Sequence, residues 1–90
     1  MSGMEVRRCW FCGRTDCLER HHVWAGGRRK ISDREGFVVD LCHWCHNEPP
    51  SGVHFNKIND LTLKRAIQTE YEKTHTRAQF MALIGKNYLD

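Results

Sequence analysis

A chain of 90 residues buries only about 60–65% of its unfolded surface, so its apolar core alone is marginal and a covalent or metal staple is expected. Fourteen Lys and Arg against eleven Asp and Glu give a net charge of +3, a balance that permits a nucleic-acid partner without requiring one. No window approaches eighteen apolar residues, which excludes a membrane-spanning helix, and the opening MSGMEVRR lacks the apolar stretch of a secretory signal, so a cytoplasmic location is expected.

In chain order, residues 1–8 read as a polar lead-in, followed by the first of two C-x-x-C pairs, Cys9 and Cys12. The segment LERHHVW, 18–24, reads as a strand in which His21 and His22 point to opposite faces. Gly26 and Gly27, followed by Arg28, Arg29 and Lys30, read as a basic loop. The run GFVVDLC, 36–42, has the β-branched density of a strand and leads into the second pair, Cys42 and Cys45. Pro49 and Pro50 interrupt any helix there. From Ser51 or Asn56 to Lys73, the residues Ile58, Leu61, Ala66, Ile67 and Tyr71 recur at helical spacing. Thr76 and Gln79 form a capping box ahead of a shorter helix over 77–84, which Gly85 stops.

The two cysteine pairs lie 29 residues apart, farther than the roughly 15–20 of a simple zinc ribbon, and four thiolates are the ligand set of a closed structural Zn²⁺ site. Cys17 is left over. Five of the six histidines, His21, His22, His43, His46 and His54, fall in the same region. With the paired cysteines satisfying zinc, a second, open site for a divalent ion explains the histidine excess, because neutral imidazole ligates such ions well. His43 reads as solvent-facing or as support for the zinc knuckle, and His75 as a solvated side chain. Trp10, Trp24 and Trp44 are expected to pack a small core around the zinc.

The series C-x-x-C, LERHHV, an apolar strand ending LCHWCHN, and a helix carrying a further histidine resembles the zinc-stabilised HNH endonuclease family. HHVWAGGRRK with LCHWCHNEPPSGVHFNK, and the end QFMALIGKNYL, is similar to small HNH-type nucleases of phages and Gram-positive prophages over nearly the whole chain. The resemblance implies a small α+β, zinc-stabilised ββα-metal domain. A two-stranded antiparallel hairpin and a helix would form a clamped core over 9–56, with a C-terminal helical extension over 57–90. It implies a metal-dependent DNA endonuclease, nicking or cutting both strands, that leaves a 5′-phosphate and a 3′-hydroxyl. Cys9, Cys12, Cys42 and Cys45 would hold structural Zn²⁺. His21, His46 and His54 would hold the catalytic divalent ion (Mg²⁺, Mn²⁺, Ni²⁺ or Zn²⁺), His54 from the first turn of a helix restarting at Ser51, with Asn47 and Asn56 as reserve ligands. His22 would be the general base.

DNA is the implied partner, beside other phage DNA-processing proteins in the bacterial host cytoplasm. Arg28, Arg29, Lys30 and Arg34 are the expected phosphate contacts, although a basic loop is also an ordinary solvated feature. The family's middle Asn is missing: Phe37 stands in its place, and no Asn occurs between residues 13 and 46. Backbone carbonyls, Asn47 or Asn56 are then left to orient His22, or activity is reduced. Two other readings share these residues: a non-catalytic zinc module for DNA or protein binding, and a structure-selective nuclease acting on branched recombination intermediates.

Overall fold

The computed structural model describes residues 7–89; the expected lead-in lies, up to residue 6, outside the described residues. The fold is α+β: among the described residues, one antiparallel pair of strands, β1 (Leu18–His22) and β2 (Val38–Cys42), with a short helical segment between them and further helices after them. The register pairs Leu18 with Cys42 and His21 with Val39, so the metal-type residues at the two strand ends are fixed by one ladder. Strand alternation buries His21 while His22, its neighbour, stays partly exposed. None of the helices among the described residues is long and apolar enough to cross a membrane.

The stretch read as a basic loop is instead a 3-10 turn, Gly26–Arg28, running into helix α1, Arg29–Glu35, between the two strands. Ser32 explains why α1 forms and docks. Its buried hydroxyl donates to the Trp24 carbonyl at 2.7 Å and accepts from the Trp24 N–H at 3.1 Å. Gly36, at φ 76°, then ends α1 in the left-handed conformation that lets the chain turn into β2.

One-turn helix α2, His43–Asn47, carries Cys45 and His46. The long helix α3 spans Lys57–Tyr71, and its N-cap is Asn56, whose side chain accepts from the Asn59 N–H. Ser51 therefore caps nothing, and His54 lies in a turn before the helix rather than in its first turn. Pro49 and Pro50 end α2, and residues 51–55 form turns before that cap. Helix α4, Arg77–Ile84, has the Thr76–Gln79 capping box and the Gly85 stop that its sequence predicts.

The main core joins Val23, Trp24 and Phe37 to Leu63 of α3 and to Phe80 and Ile84 of α4. Burial of such side chains is worth about 1.5–3 kcal/mol each. The Trp24 indole N–H donates to the Tyr88 hydroxyl at 3.3 Å, and buried Gln68 accepts the Tyr88 N–H at 2.8 Å, so the C-terminal segment is tied across α3. A second cluster, Cys9, Leu41, Cys42 and Val53, surrounds the sulfurs. The tryptophans depart from expectation: Trp24 belongs to the main core, whereas Trp10 and Trp44 are exposed. Arg14 lies over the Trp44 ring at 4.6 Å, a stacking that keeps the indole at the surface.

Candidate metal centres

The hairpin ladder and α2 bring Cys9, Cys12, Cys42 and Cys45 together, with their sulfurs all within 4.8 Å of one another. The Cys12 and Cys42 sulfurs are 3.6 Å apart, too far for a disulfide. That separation is close to the ~3.8 Å edge of a tetrahedron with Zn–S bonds of about 2.3 Å. The thiol chemistry fits a cation as well. Although burial opposes it, backbone hydrogen bonds from Cys12, Cys42 and Phe11 bring Cys9 down to about 6, in the range of a ready thiolate. Burial and the neighbouring sulfurs of Cys42 and Cys9 push Cys45 up. Four thiols so close cannot all ionise alone, and a divalent ion removes that conflict. Cys17 stays outside the cluster, exposed, at φ 54° just ahead of β1.

A second cluster forms from His21, His46 and His54, again with one ligand atom from each within 4.8 Å of the others. β1 supplies His21, α2 supplies His46, and the turn after Pro49 and Pro50 supplies His54. That turn folds back onto α2: the Gly52 N–H donates to the Glu48 carbonyl at 2.7 Å and the Val53 N–H to the Cys45 carbonyl at 2.9 Å. Gly52 is required there, since a Cβ would sit 2.8 Å from the Glu48 backbone N and O. His54 Nε2 and His46 Nε2 consequently face each other at 3.0 Å, a spacing two imidazoles adopt around a shared ion.

His21 supplies the sharpest test of fit. Its Nε2 is fully buried and has no hydrogen-bond partner among the described residues, a costly state that a bound cation would relieve. Burial, then the nearby His46 and His54, push its imidazolium down to about 4, so the ring is neutral and its lone pair free at physiological pH. The donor set suits a divalent transition ion.

Two carboxylates that the sequence does not single out complete the arrangement. Glu19, on the same face of β1 as His21, accepts from His46 Nδ1 at 2.8 Å and from Asn47 Nδ2 at 2.7 Å, and contacts His43 Nδ1 at 3.2 Å. A proton held on His46 Nδ1 leaves the Nε2 lone pair for an ion. His43 is thus a supporting residue, bracketed by Glu19 and, at 2.8 Å, Glu48. These carboxylates raise its imidazolium. Asp33, on α1, meets His22 Nε2 at 2.6 Å. His75 stacks on Tyr71 with ring centroids 4.0 Å apart.

The histidines open onto a cleft of about 440 Å³, lined by His21, His22 and His54 and, on the α3 side, by Lys57, Asp60 and Lys64. The expected phosphate contacts do not line it. Arg28 Nε donates to the Ile84 carbonyl at 2.6 Å and so caps α4, while Arg34 pairs with Glu35 at 3.1 Å. Arg29 and Lys30 project from α1, exposed. Lys57 and Lys64 were hidden among the many charges of α3, and only the helix packing turns them toward the histidines.

The fold and the two donor clusters define a small α+β module equipped for two metal ions, one among sulfurs and one among imidazoles. Compared with family models, curated proteins and solved structures, the chain has no match; the two clusters carry the functional reading by themselves.

Proposed function

We propose that the protein is an HNH-type, metal-dependent DNA endonuclease with structural Zn²⁺ on Cys9, Cys12, Cys42 and Cys45. The observation that carries this reading is the convergence of His21, His46 and His54 beside an open cleft that His21, His54 and His22, the residue after His21 on β1, line. A purely structural zinc module needs only the four sulfurs and gains nothing from a second donor cluster beside a cleft.

A divalent ion held by His21, His46 and His54 would supply Lewis-acid polarisation of the phosphoryl group and charge stabilisation at the departing 3′ oxygen. His21 presents a neutral ring to it, and the His46 Nδ1–H that Glu19 accepts leaves Nε2 as the nitrogen of His46 that faces the ion. His22, on the opposite strand face and outside the ligand set, takes the proton of the attacking water. Lys57 and Lys64, and Arg29 and Lys30 from α1, attract the flanking phosphates.

The test is cleavage of supercoiled plasmid by the purified protein with Mg²⁺, Mn²⁺, Ni²⁺ or Zn²⁺, with and without chelator, beside His22→Ala. Cleavage that requires the ion and is lost in the variant supports the reading. A wild type that leaves the plasmid intact with every ion sinks it.

A further inference from the structure

We infer that Asp33 is the positioning residue for the His22 base, doing from α1 what neither Asn47 nor Asn56 is placed to do. The inference rests on the nuclease reading above and deepens it. Three observations carry it.

The first is the contact itself. Asp33 Oδ1 lies 2.6 Å from His22 Nε2, the separation of a strong charge-assisted hydrogen bond. A carboxylate only accepts, so the imidazole donates its Nε2 proton to Asp33, and the lone pair that receives a proton from water is on Nδ1.

The second is how the contact is held. Asp33 follows Ser32, which is fully buried and bonded twice to the Trp24 backbone, two residues beyond His22. The Phe37 N–H donates to the Ser32 carbonyl at 2.8 Å, closing α1 onto the start of β2. The backbone under Asp33 is therefore fixed to the strand that carries His22. The carboxylate is itself 57% exposed, so this contact adds little to the core.

The third is elimination. Phe37 is buried against Trp24, with ring centroids 5.3 Å apart, so its position serves the core. Asn47 is committed to Glu19. Asn56 caps α3 through its oxygen and donates to the Pro50 carbonyl through its nitrogen. Asp33 is the side chain found on His22.

Three forms of the full-length, zinc-loaded protein are compared: wild type, Asp33→Ala and Asp33→Asn. A positioned base contributes roughly 10²–10⁴-fold, so Asp33→Ala should slow single-turnover cleavage at saturating DNA by about 10–100-fold. KM and melting temperature should stay unchanged. Asp33→Asn keeps an oxygen acceptor and should recover most of the rate. Nitrogen NMR of the His22 ring should show the Nε2–H tautomer in wild type and Asp33→Asn, and a mixture in Asp33→Ala. An active wild type with an equally fast Asp33→Ala, or an Asp33→Asn as slow as the alanine variant, overturns this inference alone. A wild type inert with every ion ends the nuclease reading and this one with it.

Discussion

Glu19 Oε1 accepts the Nδ1 proton of His46 at 2.8 Å, so a strand carboxylate fixes the tautomer of an imidazole on a different element. Carboxylates in this position typically change metal affinity by about 10–100-fold. Glu19→Ala should therefore weaken binding of Mn²⁺ or Co²⁺ to the histidine cluster by that factor, read by calorimetry or by the cobalt absorption bands. Zinc content should remain at one equivalent. An unchanged affinity would detach Glu19 from the cluster.

Cys42 closes the ladder opposite Leu18 and places its buried sulfur among the other three. In a chain this small the energy of zinc binding is folding energy, on the order of 10 kcal/mol in zinc-finger peptides. Cys42→Ser should lose both zinc and the cooperative thermal transition. A variant with full zinc content and the wild-type melting curve would refute this.

The depressed His21 titration has a definite sign. The unfolded ring protonates near 6.5, the folded ring only near 4, so within that window the unfolded chain binds more protons and stability falls as pH falls. His21→Asn removes the effect. Between pH 6.5 and 4, without added divalent ion, its stability should decline less steeply than that of wild type, by on the order of 2 kcal/mol. Parallel curves from urea titrations at each pH would contradict the burial of a neutral ring.

Gly52→Ala puts a methyl group 2.8 Å from backbone atoms of Glu48, which no rotamer can avoid. The turn must lift from α2 and take His54 with it. A stability loss of roughly 1–3 kcal/mol is expected, together with weaker ion binding at the histidines while zinc stays bound. Wild-type affinity in this variant would show that the turn is not what places His54.

The parts legible in the sequence were those written in local spacing. The C-x-x-C pairs announced the sulfur cluster, and Thr76, Gln79 and Gly85 bounded α4 to the residue. Helix α1 was not legible. Of RKISDRE only Ile31 and Ser32 turn clearly inward, and a buried serine carries no hydrophobic period to detect. Glu19 and Asp33 were invisible for a different reason. Each is an ordinary surface acid along the chain and becomes distinctive only when the ladder and the Ser32–Trp24 contact set it beside an imidazole. Arg28 has a partner that its place in a basic run does not announce, the Ile84 carbonyl at the end of α4.

Helix α2 gives its single turn to both clusters, Cys45 to the sulfurs and His46, the next residue, to the imidazoles. The two sites are thereby ranked. Removing an ion from the imidazoles would leave the sulfur scaffold standing, whereas removing zinc from the sulfurs would dissolve the ground on which His46 stands. Loss of an ion from the sulfurs would thereby disperse the imidazoles without anything entering the cleft.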